Sequence, residues 1–345
     1  MDTISHALIG AVTGEIVAGG KLGKKAVLWG TAIANLPDLD VIAQPFLKPA
    51  QSLLFHRGPS HSILFCVLII PLIVKLMTII HKKTKKNRID WIRLVSWCLF
   101  SHIFIDCFNS YGTAIFYPFS NFRVAFDCMG IVDVLLIFPF AVALLLFIFI
   151  KRTGLRKTVA LLSMLLSILY LGFAVVNKIN LEQKIKSHLA GMSINYDRIL
   201  TSPLPLTNFV WIVIVEDEDG FFSTNYNVVN RQIKYEKYFP KNHYLSEKFN
   251  KNAEFMRLVR FSKGFYCLSR GEDDEIIFYD LRFASFDFDG VADLDKAVFV
   301  HRLKMNENGE LTMKHRYPER KVSFEKLKRY CQQILNTETQ DRFNQ

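Results

Sequence analysis

The chain has 345 residues, 43 Lys+Arg against 32 Asp+Glu for a net charge of +11, and a hydrophobic half that lifts the mean hydropathy to +0.18. That length accommodates more than one domain, and the six scattered cysteines (Cys66, Cys98, Cys107, Cys128, Cys267, Cys331) contain no C-x-x-C, which argues against a disulfide framework or a cysteine zinc site. Much of the basic excess of the first half sits in short loops between apolar runs, where it reports membrane topology; no nucleic-acid motif accompanies it, and nucleic acid is not an expected partner.

The opening carries Asp2 and no basic leader, so it does not read as a signal peptide. Residues 1–176 predict a mainly α-helical polytopic membrane domain of about six helices. Thr3 to Gly19 is rich in small residues, and Gly10-x-x-x-Gly14 invites close approach of another helix. Ala26 to Ile42 follows and ends in Asn35-Leu36-Pro37-Asp38-Leu39-Asp40, where Pro37 breaks or kinks the helix and puts both aspartates in or beside a bend. His56-Arg57-Gly58-Pro59-Ser60-His61 leads into the apolar run Ile63 to Ile80, with Ser60 as the expected N-cap. A basic loop precedes Trp91 to Phe108, on which His102 and Asp106 share one face. Asn109, Gly112 and Thr113 supply turn chemistry where that helix stops. Ile131 to Ile150 carries Asp133 near its start, and Thr158 to Val176 completes the set.

Residues 177–345 predict a soluble β-rich domain. Strands are expected at Phe209 to Val215, Phe221 to Tyr226, Phe261 to Leu268, Ile276 to Asp280, Ala297 to Leu303 and Leu311 to His315, with a closing amphipathic helix from Ser323 to Asn336. Its histidines (His188, His243, His301, His315) are isolated and form no catalytic constellation.

The basic loops place the N-terminus and residue 177 outside the cytoplasm, in a multi-pass protein of the cell membrane. His6, Asp38, Asp40, His56, His61, His102, Asp106 and Asp133 then all fall on the extracytoplasmic face. Any one of them alone reads best as an interfacial hydrogen-bonding group, and Arg57 as an interfacial anchor. Together they offer the mixed imidazole and carboxylate set that suits zinc, with manganese or iron as alternatives. Eight groups exceed the needs of one ion, so one or two ions are expected, with Asp133 and Arg57 in catalytic or supporting roles. A metal-activated water would make this a hydrolase acting on a phosphoester or lipid-like substrate presented by the bilayer. Two competitors use the same residues differently: a transporter or proton-coupled pathway, and a non-catalytic membrane anchor with a structural metal.

At these residues the chain resembles the YdjM/YfhP-like family of membrane-bound metal-dependent hydrolases. The resemblance is carried by Met1-Asp2-Thr3-Ile4-Ser5-His6, by Asn35 through Asp40, by His56 through Ser62, and by His102 through Asp106 to Asn109-Ser110-Tyr111-Gly112-Thr113, with Asp133 after the next loop. Phe261 through Tyr266 and Asp280-Leu281-Arg282-Phe283 look like the YfhP branch, which carries a soluble C-terminal part. It implies a bacterial inner-membrane protein, a metal-dependent hydrolase and a distant similarity to helical zinc phospholipases C. It also adds Asn35 and Asn109 to the supporting residues. Ser60 stands where the family's His-Arg-Gly-Thr-His pattern has Thr, and the hydroxyl is kept.

Overall fold

Among the described residues three stretches are long and apolar enough to cross a membrane by length and composition: Lys24–Phe46, Ile63–Ile80 and Thr153–Gly191, with Val134–Phe149 a shorter apolar helix. They are seen in a computed structural model that describes residues 1–82, 88–229, 231, 233–283, 294, 297–308, 310–316 and 328. The chain divides into two compact units, one of Met1–Leu47 and Leu54–Val175, the other of Lys48–Leu53 and Val176–Gln345.

The first unit is helical. In order come α1 (Thr3–Leu22), α2 (Lys24–Ala34), a 3-10 helix (Pro37–Phe46), α3 (Pro49–Phe55), a 3-10 turn (Pro59–His61), α4 (Ile63–Ile80), α5 (Arg88–Asp106), α6 (Val134–Phe149) and α7 (Thr153–Gly191). The six crossings expected from sequence therefore include α1 and α5, which fall outside the three apolar spans. Their polar content explains this: α1 holds His6 and Glu15, and α5 holds Arg88, Asp90, Arg93, His102 and Asp106. Burial among neighbours compensates. Glu15 is buried and paired with buried Arg156 of α7, and Arg156 stacks over Phe147 of α6. The sequence reading left this ion pair out, and it lies roughly 14 Å along α1 from His6 at 1.5 Å per residue.

Glycine sets the α1–α2 hairpin. A Cβ on Gly10 would fall 2.4 Å from Gly30 O, one on Gly14 2.2 Å from Ala26 O, and one on Gly30 2.1 Å from Gly10 O. Backbones this close leave no room for any side chain, as the Gly10-x-x-x-Gly14 spacing anticipates. Pro37 ends the α-helical run after Ala34 and starts the 3-10 segment that holds Asp38 and Asp40. The cap of α4 is Ser62, whose hydroxyl accepts from Phe65 N–H at 3.0 Å; Ser60, expected to cap it, faces Asp40 instead.

The second unit is β-rich. Strands β1 (Arg198–Pro203), β2 (Val210–Glu216), β3 (Gly220–Asn227) and β4 (Ile233–Pro240) form one antiparallel meander. Strands β5 (Tyr266–Arg270), β6 (Ile276–Asp280), β7 (Val300–Met305) and β8 (Leu311–Arg316) form a second. Alternation along β5 splits its side chains. Cys267 packs with Leu200, Ile212 and Phe221 of the first meander. Tyr266 and Leu268 pack with Phe249 and Phe255, the latter on helix α8 (Ala253–Phe261), and with Ala50 from Lys48–Leu53. Phe261, expected to open a strand, closes α8; Lys263 and Gly264 then adopt positive φ, and the strand begins at Tyr266. Helix α7 continues to Gly191, beyond the Val176 at which the apolar run ends. The basic residues Lys83, Lys85 and Lys86, Cys331 and almost all of the expected helix from Ser323 to Asn336 lie outside the described residues.

Gly14→Val overpacks the hairpin and lowers stability by about 1–3 kcal/mol, read as an earlier unfolding transition of the detergent-solubilised protein. His301, buried on β7 opposite His315, has its pKa pushed down to about 3 by burial and then by His315. The unfolded chain takes that proton near pH 6.5, so stability present above pH 6.5 is lost as pH falls toward 3. Hydrogen exchange of β7 and β8 should accelerate across that window, and His301→Phe should flatten the dependence.

Candidate metal centre

Helix ends bring the polar groups together. His6 lies in the first turn of α1 behind Asp2, which caps the helix through the Ile4 and Ser5 amides. Asp38 sits in the 3-10 turn after Pro37, His61 in the 3-10 turn before α4, and His102 and Asp106 on the last turns of α5. One ligand atom each from Asp38, His61, His102 and Asp106 lies within 4.8 Å of the others, so this group could hold a metal ion. His61, His102 and Asp106 are buried and Asp38 is partly so. His61 Nε2 is 3.0 Å from His102 Nε2, 3.4 Å from Asp38 Oδ1 and 3.4 Å from Asp106 Oδ2. His6 adds a fifth group, with Nε2 at 3.2 Å from Asp106 Oδ1 and its ring stacked on His102 at 3.7 Å between centroids.

The donor set fits a cation. His6 Nε2, Asp38 Oδ1 and Asp106 Oδ2 are buried without a well-formed hydrogen bond, although opposite charge lies close. Unmatched buried polar atoms are costly unless something satisfies them. Burial opposes a proton on His61, yet the Asp106 and Asp38 carboxylates facing it outweigh burial and raise its pKa. The same field attracts a metal ion.

Asp40 and His56, expected as ligands, stand beside this group. Asp40 Oδ1 meets His56 Nδ1 at 2.9 Å, while Asp40 Oδ2 accepts from Ser60 Oγ at 2.7 Å and from Arg57 N–H at 3.1 Å. Ser60 Oγ in turn lies 2.9 Å from His61 Nδ1. A carboxylate only accepts, so the single Ser60 proton is spent on Asp40 and His61 Nδ1 must be the donor to Ser60. That leaves His61 Nε2 as the atom turned toward the cluster, the usual arrangement of a ligating histidine. By the same rule His56 Nδ1 donates to Asp40, and its Nε2 is the ring atom left over; the side chain is 19% exposed.

Arg57 is buried, which corrects the reading of it as an interfacial anchor. Its Nη1 donates to Asn109 Oδ1 at 2.7 Å, its Nη2 to Met1 O at 3.2 Å, and its Nε lies 3.3 Å from Asp106 Oδ2. The Met1 α-amino group also contacts Asp106 Oδ1. Arg57 holds a positive φ of 56°, an uncommon conformation that points to a constrained turn. Asn109 accepts as well from Tyr111 N–H, and the Tyr111 ring lies under the Arg57 guanidinium at 5.0 Å. Asn35 donates to Thr31 O at the end of α2. Asp133 caps α6 through Leu135 and Leu136 N–H and accepts from Tyr170 at 3.0 Å, partners that lie outside the cluster. Sequence reasoning missed Arg123, which donates to the carbonyls of Leu54, His56 and Gly112 and so pins the loop carrying His56.

A profile of the YdjM inner membrane protein family matches residues 1–181 of the 345. The uncharacterised protein YfhP of Bacillus subtilis (strain 168) is 32% identical over 146 residues, which is 39% of this chain and 42% of YfhP. The match thus spans well under half of that relative's length. No solved structure is significantly similar. The profile covers α1 to α6 and every residue of the cluster, and the chain belongs to the YdjM inner membrane protein family.

Proposed function

We propose that this membrane protein is a metal-dependent hydrolase acting on a phosphoester or lipid-like substrate at the extracytoplasmic face. The observation that carries this reading is the convergence of Asp38, His61, His102 and Asp106 to within 4.8 Å, with buried atoms that lack hydrogen bonds. These four residues would hold the ion, and His6 would complete or support the set; zinc suits the donors best. A divalent ion held there lowers the pKa of a water it binds to about 7 and stabilises developing negative charge.

The chain's own residues supply the rest. Asp40 and Ser60 hold His61 in one tautomer. Arg57 compensates the buried Asp106 charge and spends its remaining donors on Asn109 and Met1, so its role is support of the carboxylate. His56, oriented by Asp40 and part-exposed, is the group placed to give or take a proton in the reaction. A positive-inside reading of the loops puts this face and the β-rich unit outside the cytoplasm.

Elemental analysis of the detergent-solubilised protein tests the reading. We expect about one equivalent of zinc, manganese or iron, lost in His102→Ala and in Asp106→Ala. His56→Ala should keep the ion and lose roughly 10²–10⁴-fold in hydrolysis across a panel of lipid phosphoesters. Protein without stoichiometric metal after reconstitution would overturn the mechanism. Arg57→Met leaves the Asp106 carboxylate buried without its guanidinium and should cost about 3–5 kcal/mol, read in denaturant unfolding.

A further inference from the structure

Beneath the cluster the first unit contains a cavity of about 490 Å³ between α1, α5, α6 and α7. Its floor is buried and apolar: Ile9, Ile105, Leu136 and Phe140. Its rim is exposed along α5 and α7, at Trp97, Phe100, Phe104, Leu161 and Ile168. In a membrane domain, exposed apolar side chains at that depth face hydrocarbon, so the cavity opens toward lipid between α5 and α7. Two of its three hydroxyls are spent on backbone carbonyls, Ser101 on Cys98 O and Ser167 on Leu136 O. The lining offers a head group, sugar or ion almost nothing to bond.

Position ties this cavity to the cluster. Ile9 follows His6 by one turn of α1, and Ser101 and Ile105 directly precede His102 and Asp106 on α5. From Ile9 to Val17 the lining runs about 12 Å along α1, close to the depth of one leaflet of a ~30 Å hydrocarbon core. The volume falls in the ~300–1,000 Å³ range of small-molecule sites.

We infer that the cavity holds one hydrocarbon chain of a phosphoester lipid from the same leaflet, with its head group at the Asp38, His61, His102 and Asp106 cluster. The head-group half of this assignment rests on the hydrolase reading; the chain half rests on the cavity. The selection it implies is simple. Burial of successive methylenes favours long chains, and on the hydrolase reading the cluster would favour a phosphate-bearing head over an uncharged one.

The test uses the full chain in nanodiscs of a neutral, phosphate-free galactolipid with a trace of phosphatidic acid bearing a mid-chain diazirine. Photolabelling should concentrate on Trp97–Ile105 and Leu161–Leu171 relative to the lipid-facing side of α4. Met164→Trp, or Leu161→Trp as a second filling variant, should cut that labelling about tenfold, the effect of displacing roughly two methylenes. Leu162→Trp, outside the cavity lining, should leave it unchanged. Diacylglycerol with the same diazirine should label the cavity weakly. Equal labelling by diacylglycerol, or labelling spread evenly over α4 and α7, would overturn the assignment by making the occupant ordinary bilayer lipid. Metal content measured on the same samples separates the two readings. Metal-loaded protein labelled evenly sinks the chain site alone, whereas metal-free protein labelled selectively in the cavity sinks the hydrolase reading alone.

Discussion

The buried Asp106 carboxylate is the charge on which the first unit depends. A carboxylate removed from water is tolerated only with opposite charge and donors around it. Met1, His6, Arg57, His61 and His102 all approach it, from the start of α1, from the loop ahead of α4 and from α5 itself. Each partner fixes one element's position at this end of the bundle. Arg57 illustrates the cost accepted for this arrangement. Its backbone occupies the left-handed region, and its guanidinium serves Asp106, Asn109 and Met1 together. The turn is held in place by the loop that Arg123 pins.

Polarity at one end of the bundle constrains everything deeper. Helix α5 carries His102 and Asp106 and α1 carries His6 beside them; both are poorer in apolar residues than α4, so they gain from being surrounded by protein. The glycine-lined contact between α1 and α2 gives α1 its burial through backbone proximity, and Glu15 with Arg156 ties its other half to α7. The Glu15 pair also bears on the ion-pathway alternative. A conducting route needs ionisable groups at successive depths that can exchange partners. Glu15 instead meets a dedicated arginine, and the cavity beside it is lined by apolar side chains and three hydroxyls, with no ionisable group among them. The arrangement fits a closed bundle with chemistry at one end.

Much of this was legible in the sequence because it rests on local rules. His102 and Asp106 share a face by helical period, Pro37 must end a helix, and Gly10-x-x-x-Gly14 must face something close. Ile63–Ile80 and Ile276–Asp280 have the bounds that apolar patterning predicts. What escaped depends on tertiary partners. Nothing local distinguishes Asp40 and His56, which bond to each other, from Asp38 and His61, which join the cluster. Arg57 reads as an interfacial cation until Asp106 is seen behind it. The end of α7 was placed where apolar composition stops, but the helix continues on polar residues whose partners lie in the β-rich unit: Asn177 reaches Asn208, and Lys178 reaches Thr201. Strand β1 and helix α8 were missed or shifted for the same reason, since their burial comes from neighbours distant in sequence.

The hydroxyl at position 60 links the cluster to the pair beside it. Ser60 has one proton to give, and Asp40, with both oxygens already committed as acceptors, takes it. His61 Nδ1 therefore has to supply the next hydrogen bond, and its Nε2 is directed at Asp38, His102 and Asp106. A threonine hydroxyl could perform the same relay. An alanine would not: His61 Nδ1 would lose its hydroxyl partner and keep only the longer approach to Asp40 Oδ2 at 3.6 Å. Asp40 thus bears on the cluster through Ser60 and through its own approach to His61, whose Nδ1 lies 3.6 Å from Asp40 Oδ2.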